Sequence, residues 1–212
     1  MARRRRSLLA VLASALTLGS TAIADQPHGR ATICAPQQSE AGLRQLLSFL
    51  NEVDLKPFAC DLTRETYRIV RHDFHLTESA QSLRLEIGPT GQAAITVRET
   101  DVILANNQDR PKLTLDRARV LQQSEIESFL EKVDASQFWT MSTAANSGIA
   151  RKIKGDNGEE LTQECSPIGS FTILEAVRHG AYHEVEWMCF APDAFDDLLE
   201  EFTRLHQSAS RR

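Results

Sequence analysis

Apolar residues change their spacing several times along this chain, and each change marks an element. Leu43, Leu46, Leu47, Leu50 and Val53 recur every three or four positions. That period predicts an amphipathic helix over 40–54, with Ser39 as its cap and Pro57 just beyond its end. The period then shortens to two. Residues 66–74 read as a strand with mixed faces. Leu83, Leu85 and Ile87 alternate with Arg84 and Glu86, and Ala93, Ile95 and Val97 alternate with Ala94, Thr96 and Arg98. A Gly88-Pro89-Thr90-Gly91 turn joins these two strands into a hairpin. Alternation resumes at Leu113 and Leu115, but Val120 falls on the opposite parity, which predicts a bulge near Asp116.

Ser124-Glu125-Ile126-Glu127 reads as a capping box, and Ile126, Phe129, Leu130 and Val133 give the helix behind it one apolar stripe. Residues 142–169 show no steady period and read as a long irregular segment of the kind that carries function. A second hairpin spans 171–177 and 182–190, with Gly180 supplying the positive φ that its His179-Gly180 turn needs. Pro192 opens the last helix, whose first turn is acidic (Asp193, Asp196, Asp197) and whose stripe is Phe195, Leu198, Leu199, Phe202 and Leu205. The order of helix, four strands, helix, two strands and helix predicts an α+β fold. In it an antiparallel sheet of about six strands has amphipathic helices packed on one face, a two-layer sandwich.

The first 24 residues stand apart. Arg3–Arg6 form a basic start, Leu8–Thr21 a short apolar stretch, and Ala22-Ile23-Ala24 a small-x-small cleavage site. This reads as an export signal over 1–24, followed by a single disulfide-stapled domain over 25–212. The apolar stretch is too short and too interrupted by Ser, Thr and Gly to span a bilayer, where about 20 apolar residues are needed. The expected product is therefore periplasmic or secreted, without membrane insertion after cleavage. Arg5-Arg6-Ser7-Leu8-Leu9 also fits a loose twin-arginine pattern, although the general secretory route is the preferred reading. The leader holds four of the 24 Lys and Arg and none of the 29 Asp and Glu. The remaining 188 residues thus carry 20 basic against 29 acidic residues, a balance of −9. That charge argues against nucleic acid and anionic lipid as partners.

All four cysteines, Cys34, Cys60, Cys165 and Cys189, follow the leader. Pairing Cys34–Cys60 and Cys165–Cys189 would bracket one local unit each, closing loops of about 25 residues worth ~3 kcal/mol apiece. A metal or redox role is the alternative reading, but no C-x-x-C spacing supports it.

Catalytic patterns are sparse. Glu175 and His183 sit on the two arms of the last hairpin, within one or two positions of register, an arrangement that suits a general base and equally a structural ion pair. His72, Asp73 and His75 resemble metal ligands, but on a strand the two histidines point to opposite faces. Asp156-Asn157-Gly158-Glu159-Glu160 lacks the spacing of a calcium loop. There is no phosphate-binding glycine loop, no metalloprotease helix and no serine nucleophile elbow. No cofactor or metal is expected. Trp139, Trp187, Tyr182 and Phe190 read as packing residues that would form a binding patch if exposed beside the 142–169 segment.

The run Phe171–Val185, with Phe138-Trp139 about 30 residues earlier, resembles a group of uncharacterised exported bacterial proteins. They carry an E-x(3–4)-G-x-Y-H-x-V hairpin before a proline and a final helix. Glu175, Gly180, Tyr182, His183, Val185 and Pro192 carry the resemblance here, over roughly the C-terminal third. The chain departs from that pattern at Ile168-Gly169 and at Phe171-Thr172-Ile173. The resemblance implies the hairpin and no activity.

The expected function is a non-enzymatic binding or interaction module in the periplasm, with another exported protein as partner. Trp139, Glu175, Tyr182 and His183 are its candidate contact residues. The alternatives are a small hydrolase using His183 with Glu175, and an inhibitor of a secreted enzyme. The sequence leaves the oligomeric state open.

Overall fold

The period-two stretches form strands. The computed structural model describes residues 39–73, 79–101, 112–143, 150–154, 157–164 and 170–211. Strands β1 (Glu65–Asp73), β2 (Ser79–Ile87), β3 (Ala93–Asp101), β4 (Leu113–Val120), β7 (Ser170–Arg178) and β8 (Ala181–Met188) build one antiparallel sheet in the order β4-β3-β2-β1-β7-β8. Among the described residues, strands β5 (Ala150–Lys154) and β6 (Glu160–Glu164) pair only with each other. The helices are α1 (Ala41–Phe49), α2 (Gln123–Ala135) and α3 (Asp196–Ser210).

The α+β architecture and the six-stranded antiparallel sheet are as the sequence predicts. Tyr67, Leu85, Ile95, Val97, Leu174 and Val185 point to one face. There they join Phe129 and Val133 of α2 and Leu198, Phe202 and Leu205 of α3 in the main core. Helix α1 differs from the expected single helical layer, because it packs on the opposite face. Val70 and Ala80 lie on the other strand parity from Tyr67 and Leu83, and they form a small apolar spot. Leu46, Leu47 and Leu50 cover it.

Element ends also shift for identifiable reasons. Ser39 does not cap α1: its N–H and hydroxyl both donate to Asp54, at 2.9 and 2.8 Å, tying the residues before the helix to those after it. The capping box sits two residues earlier than expected, since the Gln122 N–H donates to Glu125 at 3.0 Å. Hydrogen bonding from Arg119 holds the Glu125 carboxyl well below the usual range, at about 2. The same arginine reaches Ser208, joining β4 to α2 and α3. The expected break near Asp116 is a register shift between Glu99 and Thr100, opposite Leu113–Leu115.

Two-residue turn geometry closes the last hairpin. His179 and Gly180 have φ of 50° and 77°, and Arg178 pairs with Ala181. The β5–β6 hairpin lies inside the stretch expected to be irregular. All five residues of β6 are exposed, so nothing in that strand's sequence needs to alternate.

Cys60 follows the short 3₁₀ turn Lys56–Phe58, and Cys189 follows β8. Their expected partners, Cys34 and Cys165, lie outside the described residues, as do the expected leader (1–24), His75 and Asp156. Among the described residues no helix is long and apolar enough to cross a membrane.

Candidate functional site

Charge is buried on the α1 side of the sheet. Arg68 of β1 is fully enclosed, and a guanidinium in such a place must be paired on every side. Its Nε and Nη2 donate to Glu175 Oε1 of β7 at 3.0 and 2.6 Å. Its Nη1 donates to the Val53 carbonyl and, at 3.3 Å, to Glu52. Burial works against the Arg68 charge, but Glu175 and Glu52 outweigh it and hold the group above its ordinary value. Glu52, just after α1, is an anionic hub: Arg84 of β2, Arg98 of β3 and the Ser82 hydroxyl also donate to it.

The network continues toward β8. The Tyr182 hydroxyl lies 3.1 Å from Glu175 Oε2 and also hydrogen-bonds Glu184. Lys56 Nζ pairs with Glu184 at 2.8 Å. One phenolic proton cannot serve two carboxylates. The Tyr182 hydroxyl is therefore shared, donating to one of the two carboxylates at a time. Burial pushes the Glu175 carboxyl above the ordinary glutamate value, against the pull of Arg68. Burial, then the neighbouring carboxylates, push the Tyr182 phenol up as well.

A raised pKa in the fold has a definite sign. Between the ordinary glutamate value and the raised one, the folded state binds more protons than the unfolded chain, so raising pH through that window removes stability. Glu175→Gln keeps the side chain neutral throughout. From pH 4 to 7, the urea midpoint of the wild type should therefore fall relative to that of Glu175→Gln; parallel curves would show that Glu175 is ionised across the range.

The expected Glu175–His183 pair does not form. Glu175 registers with Glu184, whereas His183 registers with Ala176. The two candidates therefore occupy opposite faces of the sheet. His183 stacks edge-on against Phe138, with ring centroids 4.9 Å apart, and lies 6.2 Å from the Trp139 ring. Burial lowers its pKa, only partly offset by the backbone of Met141 and Phe138. His183 Nε2 and Trp139 Nε1 are both buried without a hydrogen-bond partner among the described residues. Of the four candidate contact residues, Glu175 and Tyr182 thus share one network, and Trp139 and His183 share an aromatic cluster on the other side.

A cleft of about 620 Å³ opens beside the network, between α1 and the β7–β8 edge. Leu43, Leu46, Phe49, Phe171 and Ile173 form its apolar walls. Glu40, Glu184 and Glu186 line it with carboxylates, and Lys56 and His72 are the basic side chains among its described lining residues. Burial, then repulsion from Glu184 and Glu40, raises the Glu186 carboxyl above its ordinary value. A second hollow of about 480 Å³ lies on the core side, where Ile69, Leu83, Trp187 and Phe202 meet. Polar side chains at its mouth are already engaged: Arg71 pairs with Asp73, and His206 with Glu99. Among the described residues no group of three His, Cys, Asp or Glu side chains is placed to hold a metal ion.

Glu52, Arg68, Arg84, Arg98, Lys56 and Glu184 were not among the sequence candidates. One signal for them existed. Arg68 and Arg84 are direct partners across β1 and β2, and like charges in that position need a shared anion. No family model and no curated protein sequence matches the chain.

Proposed function

We propose that the protein is an exported, non-enzymatic binding module that holds its ligand in the cleft between α1 and the β7–β8 edge. The observation that carries this reading is the cleft itself, an apolar hollow of about 620 Å³ with carboxylates at fixed places. That size and lining are those of sites for small molecules or short peptide segments. The rim is stiffly built, because the chain Arg68–Glu175–Tyr182–Glu184–Lys56 anchors one wall to the centre of the sheet. Export rests on Arg3–Arg6, the apolar stretch behind them and Ala22-Ile23-Ala24. The hydrolase alternative loses its support, because its proposed base and orienting carboxylate face opposite ways.

The neutral fluorophore N-phenyl-1-naphthylamine tests the cleft directly. Its emission should rise saturably with the wild-type protein. Leu43→Arg places a charged chain in the cleft from the half-buried face of α1 and should weaken binding at least tenfold. Equal titration curves for the two proteins would rule the cleft out. A second reading, capture of a protein partner, is favoured by the β5–β6 arm, which pairs with no other described strand and exposes Leu161.

A further inference from the structure

We infer that the ligand of the cleft is a cationic amphiphile, an organic ammonium bearing an apolar chain or ring. This rests on the cleft being the binding site, and it adds the chemistry of what enters. The walls supply the first half of the argument. Leu43, Leu46, Phe49, Phe171 and Ile173 offer an apolar body nothing to hydrogen-bond. The lining charges supply the second half. Lys56 is already neutralised by Glu184 at 2.8 Å, with the Tyr182 hydroxyl on the same carboxylate. That leaves Glu40 and Glu186, whose carboxylates have no hydrogen-bond or ion-pair partner among the described residues.

The cleft therefore presents, beside an apolar surface, two carboxylates that no hydrogen bond or ion pair engages among the described residues, with Lys56 acting on Glu186 only through space. An entering ammonium group would relieve their mutual repulsion and form charge-assisted hydrogen bonds. A carboxylate-headed amphiphile of the same length would meet those charges unpaired, which discriminates strongly against it. The negative balance of the mature chain would also draw cations toward the protein.

Three probes of equal chain length separate these effects by calorimetric titration: octylammonium, octanol and octanoate. With the wild-type protein, octylammonium should bind at least tenfold more tightly than octanol, and octanoate more weakly than either. The double variant Glu40→Gln/Glu186→Gln should keep octanol binding and erase the octylammonium preference. Both side chains are exposed and have no hydrogen-bond or ion-pair partner among the described residues, so the variant should fold. If octanol or octanoate binds as tightly as octylammonium, the cleft stands and the cationic assignment falls. If the preference survives in the double variant, it comes from the diffuse field of the protein, and the assignment again falls. If none of the three binds, both the assignment and the cleft reading fall together.

Discussion

Arg68→Ala is expected to lower the free energy of unfolding by about 3–5 kcal/mol, because removing one member of a buried ion pair strands the others. The side chains of Arg68, Glu52 and Glu175 are all fully excluded from solvent. Without the guanidinium, Glu175 keeps only the Tyr182 hydroxyl among its described partners, and Glu52 still has Arg84, Arg98 and Ser82. The penalty therefore falls mainly on Glu175. A compensating change makes the argument testable: Arg68→Met/Glu175→Leu removes both charges and leaves apolar volume behind. Urea unfolding should show the double variant to be more stable than Arg68→Met alone by about 2 kcal/mol or more, a coupling typical of groups in direct contact. If the two changes simply add, the pair is not what holds this part of the sheet.

Phe129→Ala should produce a loss of similar size on the other face, about 3–5 kcal/mol. Phe129 is fully buried in α2. Its ring meets Tyr67 of β1 edge-on at 5.2 Å and Phe202 of α3 at 5.1 Å. It thus joins the sheet to both helices, and truncation opens a cavity while removing two aromatic pairs worth ~0.5–1.5 kcal/mol each. Leu161→Ala on the exposed β5–β6 arm is the matched control and should stay within about 0.5 kcal/mol of wild type. A Phe129→Ala loss below ~1 kcal/mol would mean that α2 and α3 do not share one core with the sheet.

The two faces of the sheet were unequally legible in the sequence. Leu83, Leu85, Ile95 and Val97 alternate because one face is apolar, and a local window of residues reveals that pattern. The stripes of α2 and α3 are equally local. The opposite face is held by pairs far apart in sequence: Arg68 with Glu175, Arg84 and Arg98 with Glu52. Each looks like an ordinary solvated charge until the strand order places it. The mistaken pairing of Glu175 with His183 shows how little margin there was. Registration was expected within one or two positions, and a single position decides the face. The two-residue turn at His179-Gly180 sets it, placing Glu184 and not His183 opposite Glu175. The cleft had no local signature either, since its lining comes from Glu40, α1, Lys56, His72 of β1, Thr143, β7 and β8.

The most direct test of the central claim is a map of backbone amide shifts as octylammonium is added to the isotope-labelled protein. The cleft reading predicts the largest changes in 40–49 and 171–173 and at Glu184 and Glu186, with little change at Trp139, His183 or 160–164. Changes centred on the Trp139–His183 cluster or on the β5–β6 arm would contradict it.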